Sequence, residues 1–280
     1  MPRFGHAVLG GTFDHLHVGH AALLRTAFRV GREVSIGVTT EGFLRRYPKP
    51  AAGRLEPFPT RRRALERWLR REFPDRRWRT VPLENPFGRS IEEGIDVLVV
   101  SSDTAKGGRA VNRERRRLGR PPIPIVIVPV VLADDLEPVS SRRVRSGRID
   151  RAGRRLGRFR VALFTSDPAD RPAAERALRR AFPRTRLTVA RGASSRGRGR
   201  GGPAPAGRSG GPDLRVEVLR RPSGGYTLTE RSPASGRVLS RTTGPRETDP
   251  GRALLGVLRP DLERKAFGPR WPSASGWRRI

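Results

Sequence analysis

No cysteine occurs among the 280 residues. A disulfide framework, a thiolate metal site and a cysteine nucleophile are therefore excluded, every zinc finger with them, and a reducing compartment fits. Long hydrophobic runs are missing as well. No stretch approaches the ~20 apolar residues of a membrane span, and MPRFGHAVLGGTFD at the start lacks the apolar run of a signal peptide. These absences lead to the expectation of a soluble, cytoplasmic chain without a membrane partner. Aromatic residues make up 6% and hydrophobic residues 35%, against 31% charged. Part of the chain is therefore too polar to pack into a core. Lysine is nearly absent too: of 59 basic residues, only Lys49, Lys106 and Lys265 are lysines.

Arginine, by contrast, is abundant, and the formal charge is +32. Basic chains bind nucleic acid by releasing counterions from phosphates. A GC-rich coding sequence that writes arginine wherever a cation is tolerated explains the skew more simply. Nonspecific polyanion affinity of a solvated basic surface is the expected consequence. Residues 1 to 150 carry 29 basic and 17 acidic side chains (+12), and 151 to 280 carry 30 and 10 (+20). The second half also contains RGASSRGRGRGGPAPAGRSGGP, residues 191 to 212, with almost no large apolar side chain. It reads as a disordered linker, and it lacks the interleaved aromatics on which RNA bases would stack.

The first half alternates strand-like and helix-like segments. Ala7 to Leu9, a helix from Val18 to Val30, and Glu33 to Val38 form a βαβ unit. A helix over Thr60 to Phe73 follows, then strands at Arg79 to Leu83 and Val97 to Ser101. A helix near Ala110 to Leu118 and a strand over Pro124 to Val131 complete the pattern. Runs such as Val97-Leu98-Val99-Val100 are apolar on both faces, as strands covered on both sides must be. The expected class is α/β, a Rossmann-like doubly wound parallel sheet over residues 1 to 157. A smaller α+β domain is expected over 158 to 280. Pro129 lies inside the last strand of the first domain, where its missing amide suits an edge or a bulge.

In an open parallel sheet the ligand site lies beyond the carboxyl ends of the strands, so the loop after the first strand, GGTFDHLHVGH, is the first candidate. Gly10 and Gly11 allow a sharp turn and close backbone approach. Asp14 or Thr12 can cap the helix that follows. His17 and His20, one turn apart, place two imidazoles on one face. Free amides at a helix start together with two histidine donors suit a phosphate on which charge grows, as in phosphoryl or nucleotidyl transfer. A zinc site would need a third ligand, for which Asp14 is the one candidate, so no metal site is expected.

GGTFDHLHVGH resembles the HxGH signature of the nucleotidyltransferase superfamily. With VVSSDTAKGGRAVNRERRRLGRPPIPIVIVPVV and LEPVSSRRVRSGRID, the chain from about 4 to 150 resembles the archaeal and eukaryotic type of phosphopantetheine adenylyltransferase. The resemblance implies transfer of the adenylyl group of ATP to 4'-phosphopantetheine, giving dephospho-coenzyme A and pyrophosphate, with Mg²⁺ arriving on the nucleotide. It implies catalytic roles for His17 and His20. ATP would be lined by Gly10, Gly11, Thr12, Phe13, His20 and Lys106, and by Ser140, Ser141, Arg143 and Arg145 of a segment in which Val139 replaces the family's isoleucine. The acceptor phosphate would meet Thr12 and a cation from TTEGFLRRYPKP, which offers Arg45, Arg46 and Lys49; Lys49 is favoured, with Arg46 beside it. Asn112 and Arg113 could contact adenine or ribose, or lie on the surface.

Two other readings remain open: a cytidylyl- or adenylyltransferase with another phosphate acceptor, and a basic nucleic-acid-binding protein. Residues 159 to 190 read as a strand, loop, helix and strand. Their start is faintly similar to inosine and xanthosine triphosphatases, with Asp167 in place of the family's asparagine and no lysine after it. Leu214 to Leu219 and Tyr226 to Arg241 read as short strands with turns at 223 to 225 and 235 to 236. A helix over 252 to 265 and a loose end carrying Trp271 and Trp277 complete the expectation. Oligomeric state is not legible.

Overall fold

The computed structural model describes residues 2–48, 55–135, 137–182, 185–191, 213–221, 226–231 and 238–243. The expected linker beyond Arg191, the turns at 223 to 225 and 235 to 236, the helix over 252 to 265, Trp271 and Trp277 lie outside the described residues.

The first of two units comprises Met1–Leu132 and Pro138–Gly153. Its sheet contains β1 (Phe4–Gly11), β2 (Gly31–Thr39), β3 (Arg77–Leu83), β4 (Val97–Ser101) and β5 (Ile125–Val128). The order is β3-β2-β1-β4-β5, and every pairing is parallel. The chain winds outward from β1 through β2 to β3, then returns to lay β4 on the other side of β1. That reversal, at the carboxyl ends of β1 and β4, is where open parallel sheets place their ligands.

Helices α1 (Val18–Val30) and α3 (Phe58–Glu72) cover one face of the sheet, and α4 (Ala105–Arg117) the other. Leu24, Ala27 and Phe28 of α1, with Leu65 and Leu69 of α3, recur at helical spacing and pack on Leu9, Val34, Ile36 and Val97. Val111 of α4 packs with Val8, Leu98 and Val100 on the opposite face. Because β2 and β4 are covered on both sides, six consecutive residues from Val34 and four from Val97 are buried, the pattern expected of such strands.

Three local expectations are corrected. β5 ends at Val128, so Pro129 follows the strand instead of interrupting it, and the strand is an edge of the sheet. The fourth helix begins at Ala105, five residues before the expected start. Glu41–Arg46 forms α2, unforeseen because six residues are too few to show a period.

The second unit comprises Ala133–Glu137 and the described residues from Arg154 onward. Strands β6 (Arg158–Thr165), β7 (Arg186–Arg191), β8 (Leu214–Arg220), β9 (Tyr226–Arg231) and β10 (Val238–Thr243) form a sheet in the order β10-β9-β8-β6-β7. β6 runs parallel to β7 and β8, and the last two strands are antiparallel. Helix α6 (Arg171–Ala181) lays Ala174, Ala177 and Leu178 on Val161, Leu163 and Val216. Within this unit Arg155 pairs with both Asp135 and Asp213. Among the described residues, no helix is long and apolar enough to cross a membrane.

Candidate active site

Between Gly11 at the end of β1 and Val18 at the start of α1 lies a six-residue loop. Phe13 and His15 within it have φ of 52° and 46°, the left-handed region that side chains other than glycine rarely occupy. Phe13 buries its ring in the core, and Gly11 makes room for it, since a Cβ there would stand 3.1 Å from that ring. Packing therefore offsets the strained backbone.

The cap of α1 is His17, which replaces the expected Asp14 or Thr12. Its Nδ1 accepts the Gly19 amide at 3.2 Å, and His20 Nδ1 accepts the His17 amide at 3.4 Å. This is a capping box made of two imidazoles. A nitrogen that accepts from a backbone N–H carries no proton, so each neutral ring must hold its proton on Nε2. The rings stack at 3.8 Å between centroids, and Phe13 lies 5.3 Å from His20. Burial, opposed by the charge of Asp14, lowers the His17 pKa to about 4. At neutral pH His17 is thus an uncharged Nε2–H donor locked in one tautomer.

Helix α5 (Ser141–Arg145) returns to this loop from 124 residues away in sequence. The Ser141 hydroxyl donates to the Asp14 carbonyl at 2.7 Å, and its oxygen lies 3.4 Å from His17 Nε2. Arg145 pairs with the carboxylate of Asp14, which is fully buried. Arg143 donates to the Pro138 carbonyl at 3.1 Å, and Ser140 occupies the helix cap. Burial acts to raise the Asp14 pKa. The Glu56 amide, His15 and Arg145 outweigh it and hold the carboxyl below its ordinary range.

The sequence pointed to Arg145 as a phosphate ligand, yet its guanidinium rests on Asp14. It missed Asp14 in this role, and the only available signal was an acid in a predicted loop beside three histidines. Gly10 and Gly11 end β1, Thr12, Phe13 and His17 lie in the loop, His20 is in the first turn of α1, and Ser140 caps α5, which carries Ser141, Arg143 and Arg145. Lys106 lies in the first turn of α4, after the carboxyl end of β4. Arg46 is exposed in the last turn of α2, after the carboxyl end of β2. Lys49 lies outside the described residues. Asn112 is turned away from any ligand role, because its side chain amide exchanges two hydrogen bonds with the Ile123 backbone.

Asp14, His15 and Glu56 bring one ligand atom each within 4.8 Å of one another. Both Asp14 oxygens are already engaged, one by the Glu56 amide and the other by Arg145. A cation there would have to compete with a guanidinium. The residues present do not fit a resident metal, and the group acts as an ion-pair cluster. A cavity of about 600 Å³ lies at the opposite edge, among Gly5, His6, Arg32, Glu33 and Asp96 at the amino ends of the strands. It is remote from this chemistry.

A reversal of strand order, a loop that opens a helix there, and two histidines capping that helix define a nucleotidyltransferase of the HxGH kind, and residues 8–147, half of the chain, match the cytidylyltransferase-like family. A phosphopantetheine adenylyltransferase of Methanopyrus kandleri is 41% identical over 151 residues, 54% of this chain and 94% of that one. One from Pyrococcus abyssi is 37% identical over 160 residues, 56% of this chain and 99% of that one. The chain belongs to the phosphopantetheine adenylyltransferase family. A bifunctional phosphopantetheine adenylyltransferase/NTP phosphatase of Thermoplasma volcanium is 37% identical over 166 residues, 58% of this chain. The chain matches 48% of that relative's length.

Proposed function

We propose that the first unit transfers the adenylyl group of MgATP to 4'-phosphopantetheine, releasing pyrophosphate and forming dephospho-coenzyme A. The observation that carries this reading is the two-histidine capping box. A phosphate monoester is an anionic nucleophile near neutral pH, so no general base is needed. An oxygen of the acceptor phosphate attacks the α-phosphorus, the bond from that phosphorus to the bridging oxygen breaks, and pyrophosphate leaves with its electrons.

Catalysis of such a step reduces to in-line positioning and stabilisation of charge on the phosphoryl oxygens. The Nε2–H groups of His17 and His20 are donors of that kind, and His17, which burial keeps uncharged, holds its orientation independently of pH near neutrality. The α1 amino terminus adds its dipole. Mg²⁺ is part of the nucleotide substrate, since the Asp14 cluster is saturated by protein partners. Lys106 lies at the same edge in the first turn of α4, and Lys49 or Arg46 supplies the cation for the acceptor phosphate.

Pyrophosphate release from each nucleoside triphosphate, screened against a panel of phosphate monoesters, tests the base and the acceptor together. Selective turnover of ATP with 4'-phosphopantetheine is the expected result. Preference for CTP, or for another acceptor, would replace this reading with a different nucleotidyltransferase.

A further inference from the structure

Arg61, in the first turn of α3, has no exposed surface. Its three donor groups go to main-chain carbonyls. Nε donates to Glu56 at 2.7 Å, one terminal nitrogen to Thr12 at 2.7 Å, and the other to Thr39 at 2.8 Å. These carbonyls belong to three separate segments at the carboxyl edge of the sheet: the loop bearing the histidines, the end of β2, and the entry to α3. A trans peptide points its C=O and the next N–H in opposite directions. Drawing the Thr12 carbonyl inward therefore turns the Phe13 amide away from Arg61. Phe13 is also one of the two left-handed residues, a conformation that persists only when its surroundings hold it.

Arg115 of α4 provides an internal comparison. It too is buried, at 3% exposure, and it donates to the carbonyls of Pro121, Ser90 and Glu92 at 2.7 to 2.9 Å. Those residues lead into β5 and β4, so this second clamp sits at the amino edge, away from the histidines. Both guanidiniums are buried and donate to three main-chain carbonyls, Arg61 through all three nitrogens and Arg115 through Nε and one terminal nitrogen, and they differ in which edge they hold.

We propose that Arg61 is a positioning residue for nucleotidyl transfer, setting the plane of the Thr12–Phe13 peptide and holding the histidine loop against the ends of β1 and β2. The inference rests on the nucleotidyl-transfer reading above. It assigns Arg61 no contact with substrate.

Arg61→Lys and Arg115→Lys, compared with the wild-type chain for Tm, kcat and KM at a temperature where all are folded, test it. A lysine cannot reproduce the three-carbonyl fork. Both variants are expected to lose Tm. Arg115→Lys should keep kcat within about twofold, while Arg61→Lys loses ~10- to 100-fold in kcat with a smaller change in KM, because misplacing the loop acts on the transition state. Equal kcat in the two variants overturns the inference. If Arg61→Lys does not fold, Arg61→Gln, which keeps two donors, replaces it; failure of both beside a folded Arg115→Lys means a structural role only and also overturns it. A wild-type chain that releases no pyrophosphate with any acceptor would refute the functional reading separately. MgATP calorimetry would then decide the inference: an affinity loss of about fivefold or more confined to Arg61→Lys supports it, and equal affinities overturn it.

Discussion

His17 does three jobs with one ring: it caps α1, stacks on His20 and presents an Nε2–H. Replacing either histidine by alanine is expected to lower turnover by ~10²-fold or more in the pyrophosphate assay. The same ring also leaves a signature in stability. Its pKa is about 4 when folded, against an ordinary 6.5, so as pH falls below 6.5 the unfolded chain takes up a proton that the folded chain refuses. Stability from this group is complete above pH 6.5 and is lost as pH falls toward 4. His17→Asn keeps a capping acceptor but does not titrate. Urea midpoints at pH 7 and pH 5 should therefore fall less in the variant than in the wild type; equal falls would remove His17 from the account. The spacing of the histidines was legible in the sequence. Their tautomers were not, because the backbone amides that select them are set by the turn. Arg61 was equally hidden, one of three consecutive arginines until the fold buried it.

Elements meet here through a few buried contacts between distant parts of the chain. Asp14→Ala would remove the carboxylate from the partly buried Arg145, a loss that costs about 3–5 kcal/mol in comparable pairs, and would release α5 from the loop. Chemical denaturation measures the first effect, and loss of turnover beyond that of the stability loss reports the second. The passage from α1 directly into β2 has no loop at all: Gly31 follows Val30, and a Cβ on it would lie 2.5 Å from Ala7 Cβ and 3.0 Å from the Ala7 nitrogen. Gly31→Ala is expected to destabilise the unit by about 1–3 kcal/mol through overpacking, read as a lower Tm. The periodic segment α1 was legible to the residue. The end of β5 was not, since apolar character continues past Val128 while ladder pairing stops there. Nor was α2, whose single turn depends on the Thr40 hydroxyl accepting the Phe43 amide.

At the scale of the whole molecule, the histidine loop and α5 lie within residues 1 to 157. A chain cut after residue 157 is expected to retain turnover, and an inactive but folded truncation would show that the second unit contributes. In the second unit the first loop is held by carboxylates. Asp167 caps the turn with its own carboxylate, and the buried Asp170 accepts from Tyr226 at 2.9 Å and pairs with Arg220. The order of strands and helices, the parallel sheet and the histidine loop followed from the sequence by itself, because hydrophobic period and glycine placement act over a few residues. Which nitrogen bears each proton, that Arg145 answers Asp14, and that Arg61 gathers three carbonyls were decided only by the tertiary structure, because each depends on groups far apart in the chain whose desolvation makes a partner obligatory.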